Sequence, residues 1–220
     1  MRPSIGDQCR SLRGTILVVL AVTACLVAMV VGIHLWKGIP VGDLTRDPVA
    51  LFAGRVYVGF VSQLGLFMWA ATVAVCLFTA RITRGRPGLE GRRRFLVVSA
   101  LLTAYLLVDD AFLLHEEVYP RLGIPEKLVY GSYIGLVLLW LVRSRAVILA
   151  TEFVLLVLSL ACFATSVAID AFEPPLPGFF LWEDGFKVCG ILFWLAYFVR
   201  VAAATARADG SGPAANAPPD

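Results

Sequence analysis

The fold is decided by uncharged apolar runs, of which residues 153–169, FVLLVLSLACFATSVAI, are the clearest. This run ends at Asp170, and neighbouring stretches repeat the pattern of a long apolar run bounded by charge. The chain has 220 residues, is 59% hydrophobic and has a mean hydropathy of +0.82. Soluble domains are about 45–50% apolar, and a bilayer-spanning helix needs about 20 apolar residues. The sequence therefore predicts an integral membrane protein.

Six such runs can be found on working outward from this stretch. The predicted spans cover residues 14–36, 56–80, 95–118, 125–142, 146–171 and 179–203. The second helix is expected to begin ahead of its apolar run, because Asp47-Pro48 is typical of an N-cap followed by proline at the first helical position. The predicted fold class is all-α, a polytopic membrane bundle of six transmembrane helices.

Basic residues in the loops predict the orientation of the bundle. Thirteen lysine and arginine residues fall in the N-terminal segment, the second and fourth loops and the tail, against five in the alternate loops. Since cytoplasmic loops carry the excess of positive charge, both termini are predicted to be cytoplasmic. Residues 1–13 are then a cytoplasmic segment, 14–203 the transmembrane domain and 204–220 a disordered cytoplasmic tail. The bacterial inner (plasma) membrane is the predicted location.

Three features exclude other classes of protein. The five cysteines contain no C-x-x-C pair and lie mostly inside apolar runs, which argues against a disulfide framework or a zinc knuckle. The basic residues lie in short loops without interleaved aromatic residues, so no nucleic-acid partner is expected. Cys25 follows Val22-Thr23-Ala24 as in a lipoprotein cleavage box, but residues 26–36 stay apolar, so a retained first helix is expected.

Ionisable residues inside the apolar runs point to a single site. With the predicted orientation nearly all of them lie in the outer half of the membrane, and Glu152 near the start of the fifth span is the exception. Those in the outer half are Asp109, Asp110, His115, Glu116, Asp170, Glu183, Asp184 and Lys187. A charge in hydrocarbon costs roughly 2.5–3.5 kcal/mol on insertion scales, so intramembrane ionisable residues are functional candidates by default.

The segment Asp109 to Glu117 carries most of this charge. On one continuous helix, Asp109 and Glu116 share a face and His115 projects well away from it. Asp109 and Asp110 are too deep to be ionised without a counter-charge, so either one is protonated or a cation lies beside them. Lys187 and a metal ion are the candidate cations.

The sixth span begins with Glu183-Asp184-Gly185-Phe186-Lys187. Two interpretations of Lys187 stay open: an ion pair with Glu183 at i,i+4, or a bridge across the bundle to Asp109 or Asp110. Glu183-Asp184-x-x-Lys187 resembles the E-E-x-x-K signature of the PrsW-like intramembrane proteases, although here the acid/His segment precedes it. The resemblance implies that a helix-borne acid pair with a lysine can serve intramembrane hydrolysis.

These residues lead to three functional hypotheses. The first is a metal-dependent hydrolase of lipid or peptide, in contact with membrane lipids. Its predicted catalytic residues are Asp109, Asp110, Glu116, Glu183 and Lys187, and its predicted ligands for zinc or calcium are Asp110, His115, Asp170 and Asp184. The second is a cation- or proton-coupled carrier or channel, and the third a non-catalytic membrane protein with a structural polar cluster.

Overall fold

The computed structural model describes residues 5–46, 48–55, 57–172, 175, 177 and 179–208. These residues form helices and connecting turns, and no strand is present among them. The chain divides into two compact units, Met1–Val58 and Gly59–Asp220. The second unit contains every residue of the predicted polar site.

The described residues of the first unit form three helices, α1 (Ile5–Lys37), α2 (Val41–Thr45) and α3 (Pro48–Leu51). The predicted first span lies within α1, whose described apolar part, Thr23–Lys37, is shorter than a bilayer crossing requires. Pro48 begins a helix as predicted, but that helix ends at Leu51 instead of continuing into the second span. Asp47, the predicted N-cap, lies outside the described residues.

Five helices of the second unit are long and apolar enough to cross a membrane. They are α4 (Phe60–Ile82), α5 (Glu90–Phe112), α7 (Glu126–Leu149), α8 (Val154–Phe172) and α9 (Phe179–Arg207). Short helix α6 (Tyr119–Arg121) precedes α7. The prediction of a helical membrane bundle is therefore confirmed for the described residues.

Most helix boundaries differ from those predicted by a few residues. Helix α4 begins only at Phe60, after Gly59 adopts a left-handed φ of 69°. Helix α7 continues past the predicted end at residue 142, because Arg143 and Arg145 stay helical and exposed instead of forming a loop. Helix α9 runs to Arg207, beyond residue 203. Apolar content marks the hydrocarbon part of a helix, whereas the helix itself extends into the polar interface.

The third span departs most from its prediction. A continuous helix over residues 95–118 is wrong, because α5 ends at Phe112 and Leu113 takes a left-handed conformation with φ 50° and ψ 44°. A single π-helical turn, Leu114–Val118, follows. Left-handed backbone is unfavourable for a residue with a Cβ atom by roughly 1–2 kcal/mol. A break at a leucine is therefore not expected from the sequence.

Helices α4, α5, α8 and α9 pack closely, and side-chain hydrogen bonds join them. Ser159 donates to the carbonyl of Gly190 at 2.7 Å, and Trp194 Nε1 donates to Thr103 Oγ1 at 3.0 Å. Gly190 lies so close to Phe163 that a Cβ atom there would be 2.7 Å from the ring. Lipid tails are as apolar as the side chains of a membrane helix, so the hydrophobic effect does not drive such helices together. Close packing and interhelical hydrogen bonds stabilise the bundle instead.

The centre of this bundle is a group of buried rings that we call the aromatic layer. Its members are Trp69, Phe95, Trp140, Trp194 and Phe198, each at most 4% exposed. Trp194 and Phe198 are edge-to-face at 5.2 Å, and Phe95 stacks on Trp140 at 5.7 Å. Offset and edge-to-face pairs add about 0.5–1.5 kcal/mol each to their burial.

Candidate functional site

A cavity of about 1190 Å³ opens among α4, α5, the π-helical turn, α7, α8 and α9. All eight ionisable residues singled out in the sequence line it. They are Asp109, Asp110, His115, Glu116, Asp170, Glu183, Asp184 and Lys187. The structure thus brings together residues that are up to 78 positions apart in the chain, from Asp109 to Lys187. Their functional roles stay predictions.

The pair Asp109–His115 lies on the wall of the cavity. His115 Nδ1 is 2.7 Å from Asp109 Oδ2, and the His115 backbone N–H donates to Asp109 Oδ1 at 3.1 Å. The expectation that His115 projects away from Asp109 is wrong, because it assumed an unbroken helix. The left-handed Leu113 turns the chain back, and a residue six positions on then reaches Asp109.

Asp109 accepts a third hydrogen bond, from a residue that the sequence analysis missed. The Tyr133 hydroxyl donates to Asp109 Oδ1 at 2.5 Å, and its ring is edge-to-face with Tyr105 at 5.5 Å. The carboxylate is 5% exposed, yet three donors satisfy it. A buried acceptor with several donors is held in one orientation, so Asp109 fixes the position of the His115 ring.

The second ring nitrogen of His115, Nε2, makes no bond to Asp109. A carboxylate only accepts, so Nδ1 carries the proton that binds Asp109, and Nε2 of the neutral ring is unprotonated. Nε2 lies 3.3 Å from Glu116 Oε1, and the Glu116 side chain is 51% exposed. The site therefore presents an oriented imidazole nitrogen beside a solvated carboxylate.

Asp110 and Lys187 form an ion pair across the bundle, from α5 to α9. Lys187 Nζ donates to Asp110 Oδ1 at 2.5 Å, and the Asp110 side chain is 10% exposed. Of the two interpretations left open for Lys187, the bridge across the bundle is confirmed. The buried carboxylate has the counter-charge that its depth requires.

Asp170 has a protein partner of its own near the end of α8. The Tyr130 hydroxyl donates to Asp170 Oδ2 at 2.9 Å. Tyr130 and Tyr133 lie three positions apart on one face of α7 and serve two different carboxylates. Their spacing was the available signal, since tyrosines on one face of an apolar helix need hydrogen-bond partners.

The predicted metal ligands are not gathered into one coordination group. Among the described residues, no three or more His, Cys, Asp or Glu side chains are placed to hold one ion. Of the four predicted ligands, Asp110 is bound to Lys187 and Asp170 to Tyr130. A bound metal stays a prediction.

The cavity is amphipathic along its length. Its polar end is formed by the eight ionisable residues and the two tyrosines, and its other end by apolar side chains. These are Trp69, Leu106, Ile134, Val137, Leu138, Leu141, Leu160, Phe163 and Ala164. Leu138 and Phe180 on its wall are 55% and 75% exposed, so the cavity reaches the surface of the unit.

Comparison with known proteins gives one match. Residues 19–201 match the family described as Domain of unknown function (DUF8692). No curated protein and no solved structure matches the chain. The matched segment covers well over half of the chain and includes all eight ionisable residues of the cavity. The chain therefore belongs to the DUF8692 family.

Proposed function

We propose that the protein is a hydrolase embedded in the membrane, which cleaves an ester or amide bond of an amphipathic lipid or peptide. The Asp109–His115 pair on the cavity wall carries this proposal. A carboxylate that binds Nδ1 sets the tautomer in which Nε2 is a base, and a positioned general base contributes about 10²–10⁴-fold to a rate.

In the proposed reaction, His115 Nε2 accepts a proton from a water molecule as the water oxygen attacks the carbonyl carbon. The bond from that carbon to the leaving oxygen or nitrogen then breaks, and His115 returns the proton to the leaving group. Asp109 stays ionised and stabilises the imidazolium while it exists. Lys187 is the nearby donor available for the oxyanion, because its ammonium group has N–H donors besides the one bonded to Asp110.

The shape of the cavity supports an amphipathic substrate. Its volume of about 1190 Å³ exceeds that of common small-ligand pockets, about 300–1,000 Å³. An acyl chain or an apolar peptide segment fits the apolar end, which would place the scissile bond among the charged residues. Membrane lipids are the substrate that reaches such a cavity without leaving the bilayer.

We further propose six transmembrane helices, with α1 as the first, both termini cytoplasmic and the site in the outer half of a bacterial plasma membrane. The 13-to-5 distribution of basic residues supports this orientation. Helix polarity agrees with it, because the site residues lie late in α5 and early in α9.

In an alternative, metal-dependent form of the proposal, His115 Nε2 binds a divalent metal and is then not the general base. Two ligands of one tetrahedral zinc ion, each bound at about 2.0–2.1 Å, are about 3.3 Å apart. His115 Nε2 and Glu116 Oε1 have this separation, and a carboxylate on the other histidine nitrogen is the usual support of a zinc-bound histidine. A metal there would supply an activated water.

A carrier coupled to cations or protons is the second candidate. The Asp110–Lys187 pair favours it, since a buried ion pair that exchanges a proton can couple to an ion gradient. The third candidate, a structural polar cluster, is supported by the hydrogen bonds that tie α5, α7 and α9 together.

The test compares wild type with His115→Gln and His34→Gln. His34 is a matched control, because it is the chain's other histidine and its ring binds the backbone carbonyl of Ile39 at the end of α1. Each purified protein is incubated with phospholipid micelles and with a lipopeptide, and products are identified by mass spectrometry. Wild type and His34→Gln should release product, and His115→Gln should be slower by at least about 10²-fold.

Equal rates in all three proteins, or no cleavage of either substrate, would reject the hydrolase. Metal analysis of the same samples, together with Asp110→Asn, separates the metal-dependent form from the metal-free form. Metal bound to wild type and lost from His115→Gln supports the former. Cleavage that survives chelation supports the latter. An ion flux in proteoliposomes that Lys187→Met abolishes would instead support the carrier.

A further inference from the structure

A second cavity, of about 440 Å³, lies at the opposite end of the bundle from the proposed catalytic site. It is formed by the start of α5, the loop between α7 and α8, and the last turns of α9. The catalytic-site residues lie at the end of α5 and the start of α9. Each helix therefore carries one cavity at each end, and the aromatic layer lies between them.

This cavity has an excess of positive charge. Three arginines line it, Arg92, Arg200 and Arg207, against one carboxylate, Glu152. Arg200 binds Glu152 through both Nε and Nη2, and this pair keeps the pKa of Glu152 below its usual value, so the carboxylate stays ionised. Arg92 and Arg207 have no ion pair within the described part of the chain, which leaves two guanidinium groups uncompensated.

The rest of the lining suits an anionic group at a membrane surface. Ala203 and Ala204 between the arginines of α9 leave space for an approaching ligand, and Val199 and Val201 are apolar. The hydroxyls of Thr151 and Tyr197 lie 2.9 Å apart beside them. Arg207 is the last residue of α9 and Arg92 the third of α5, so both lie where a helix leaves the hydrocarbon.

We infer that this cavity binds a phosphate group, with Arg92 and Arg207 as its ligands. Guanidinium groups bind phosphate oxygens through pairs of charge-assisted hydrogen bonds, and basic pockets between helices on the cytoplasmic side bind anionic lipid headgroups. The phosphate belongs either to a phospholipid headgroup or to a free phosphate ion. The volume accommodates the headgroup of a phosphodiester lipid, with its chains along the outside of α9.

The test measures thermal unfolding of the delipidated, detergent-purified full chain with three probes. These are dioctanoyl phosphatidylglycerol, dioctanoyl phosphatidylcholine and sodium phosphate. Wild type is compared with Arg92→Gln, Arg207→Gln and their combination. Arg143→Gln with Arg145→Gln is the matched control, since both arginines are exposed at the same end of the bundle and lie outside the cavity.

Phosphatidylglycerol should raise the midpoint temperature of wild type and of the control in a saturable way. The concentration needed should increase about tenfold for each cavity arginine removed. A rise with sodium phosphate that the cavity variants abolish would identify a free phosphate ion as the ligand. The inference is overturned if no phosphate-bearing probe shifts wild type, or if the double cavity variant responds like the control. Arg207→Gln alone keeps the test valid if the double variant does not fold, because Arg207 is exposed.

Discussion

Lys187 is the residue on which the electrostatics of the larger, polar cavity depend. It is the only lysine or arginine among the residues that line this cavity, and it reaches from α9 to a nearly buried carboxylate on α5. Removing one partner of a buried ion pair leaves the other charge buried and unpaired. This destabilises the folded protein by more than the intact pair stabilises it. The effect of a substitution is therefore set by what happens to Asp110.

Replacing Lys187 with methionine should lower the free energy of unfolding by about 3 kcal/mol at neutral pH. This is the lower end of the usual range, because 34% of the Lys187 side chain is exposed. Protonation of Asp110 removes the unpaired charge, so the loss should be smaller in acid. Thermal unfolding in detergent across pH measures it, with Lys127→Met, an exposed lysine at the start of α7, as control.

The combination of Lys187→Met with Asp110→Asn should recover most of the lost stability at neutral pH. If Lys187→Met alone is as stable as wild type at every pH, the ion pair makes no contribution to stability. Recovery without any return of hydrolysis or ion flux would separate the structural role of the pair from its functional one.

The charged members of the site could be predicted from sequence, whereas the partners of its two tyrosines could not. A charge in an apolar run is conspicuous because hydrocarbon penalises it. Tyrosine is a common residue in membrane helices. Only the packing of α7 beside α5 and α8 brings Tyr133 to Asp109 and Tyr130 to Asp170. Such tyrosines are recognised as site residues only from their tertiary contacts.

At the scale of elements, the helix break after α5, at Leu113, determines the geometry of the site. A helix continued through Val118 would direct His115 away from Asp109, whereas the left-handed Leu113 and the π-helical turn bring the two together. Strained backbone of this kind persists where the surrounding structure holds it, and it is frequent at functional sites. Hydrophobic periodicity predicted α5 correctly up to this break and failed beyond it, because no glycine or proline marks the break.

Replacing Leu113 with glycine should raise the free energy of unfolding by up to about 1 kcal/mol, because glycine adopts φ 50° without strain. Leu101→Gly is the matched control, since Leu101 is also an exposed leucine but lies within α5. It should lower the stability by about 1 kcal/mol. Thermal unfolding of both variants checks this. Equal destabilisation by the two substitutions would show that Leu113 is not strained.

At the scale of the whole molecule, composition predicted the class of fold, and the orientation drawn from the basic residues stays a prediction. Five helices of the described residues are long and apolar enough to cross a membrane, and a helix satisfies its own backbone hydrogen bonds in lipid. The grouping of the helices around one cavity could not be predicted, because it depends on small contacts such as Gly190 against Phe163 that leave no periodic signal.

The orientation predicts which loops an impermeant thiol reagent reaches. In a variant whose own cysteines are replaced, Leu122→Cys, before α7, should be labelled in intact cells. Arg84→Cys, between α4 and α5, should be labelled only after permeabilisation. Both positions are exposed turns, and Leu122 is preferable to Gly123, whose φ of 81° disfavours cysteine. The reverse pattern would place the larger, polar cavity in the cytoplasmic leaflet.

The aromatic layer also bears on how the cell conserves energy. A water-filled path through the bundle would let protons run down the membrane potential, and each charge that crosses releases about 2.3 kcal/mol per 100 mV. Trp69, Phe95, Trp140, Trp194 and Phe198 fill the centre of the helix pack between the acidic cavity and the basic one. Both cavities can therefore hold water without a continuous aqueous path through the described part of the bundle, since buried apolar rings separate them.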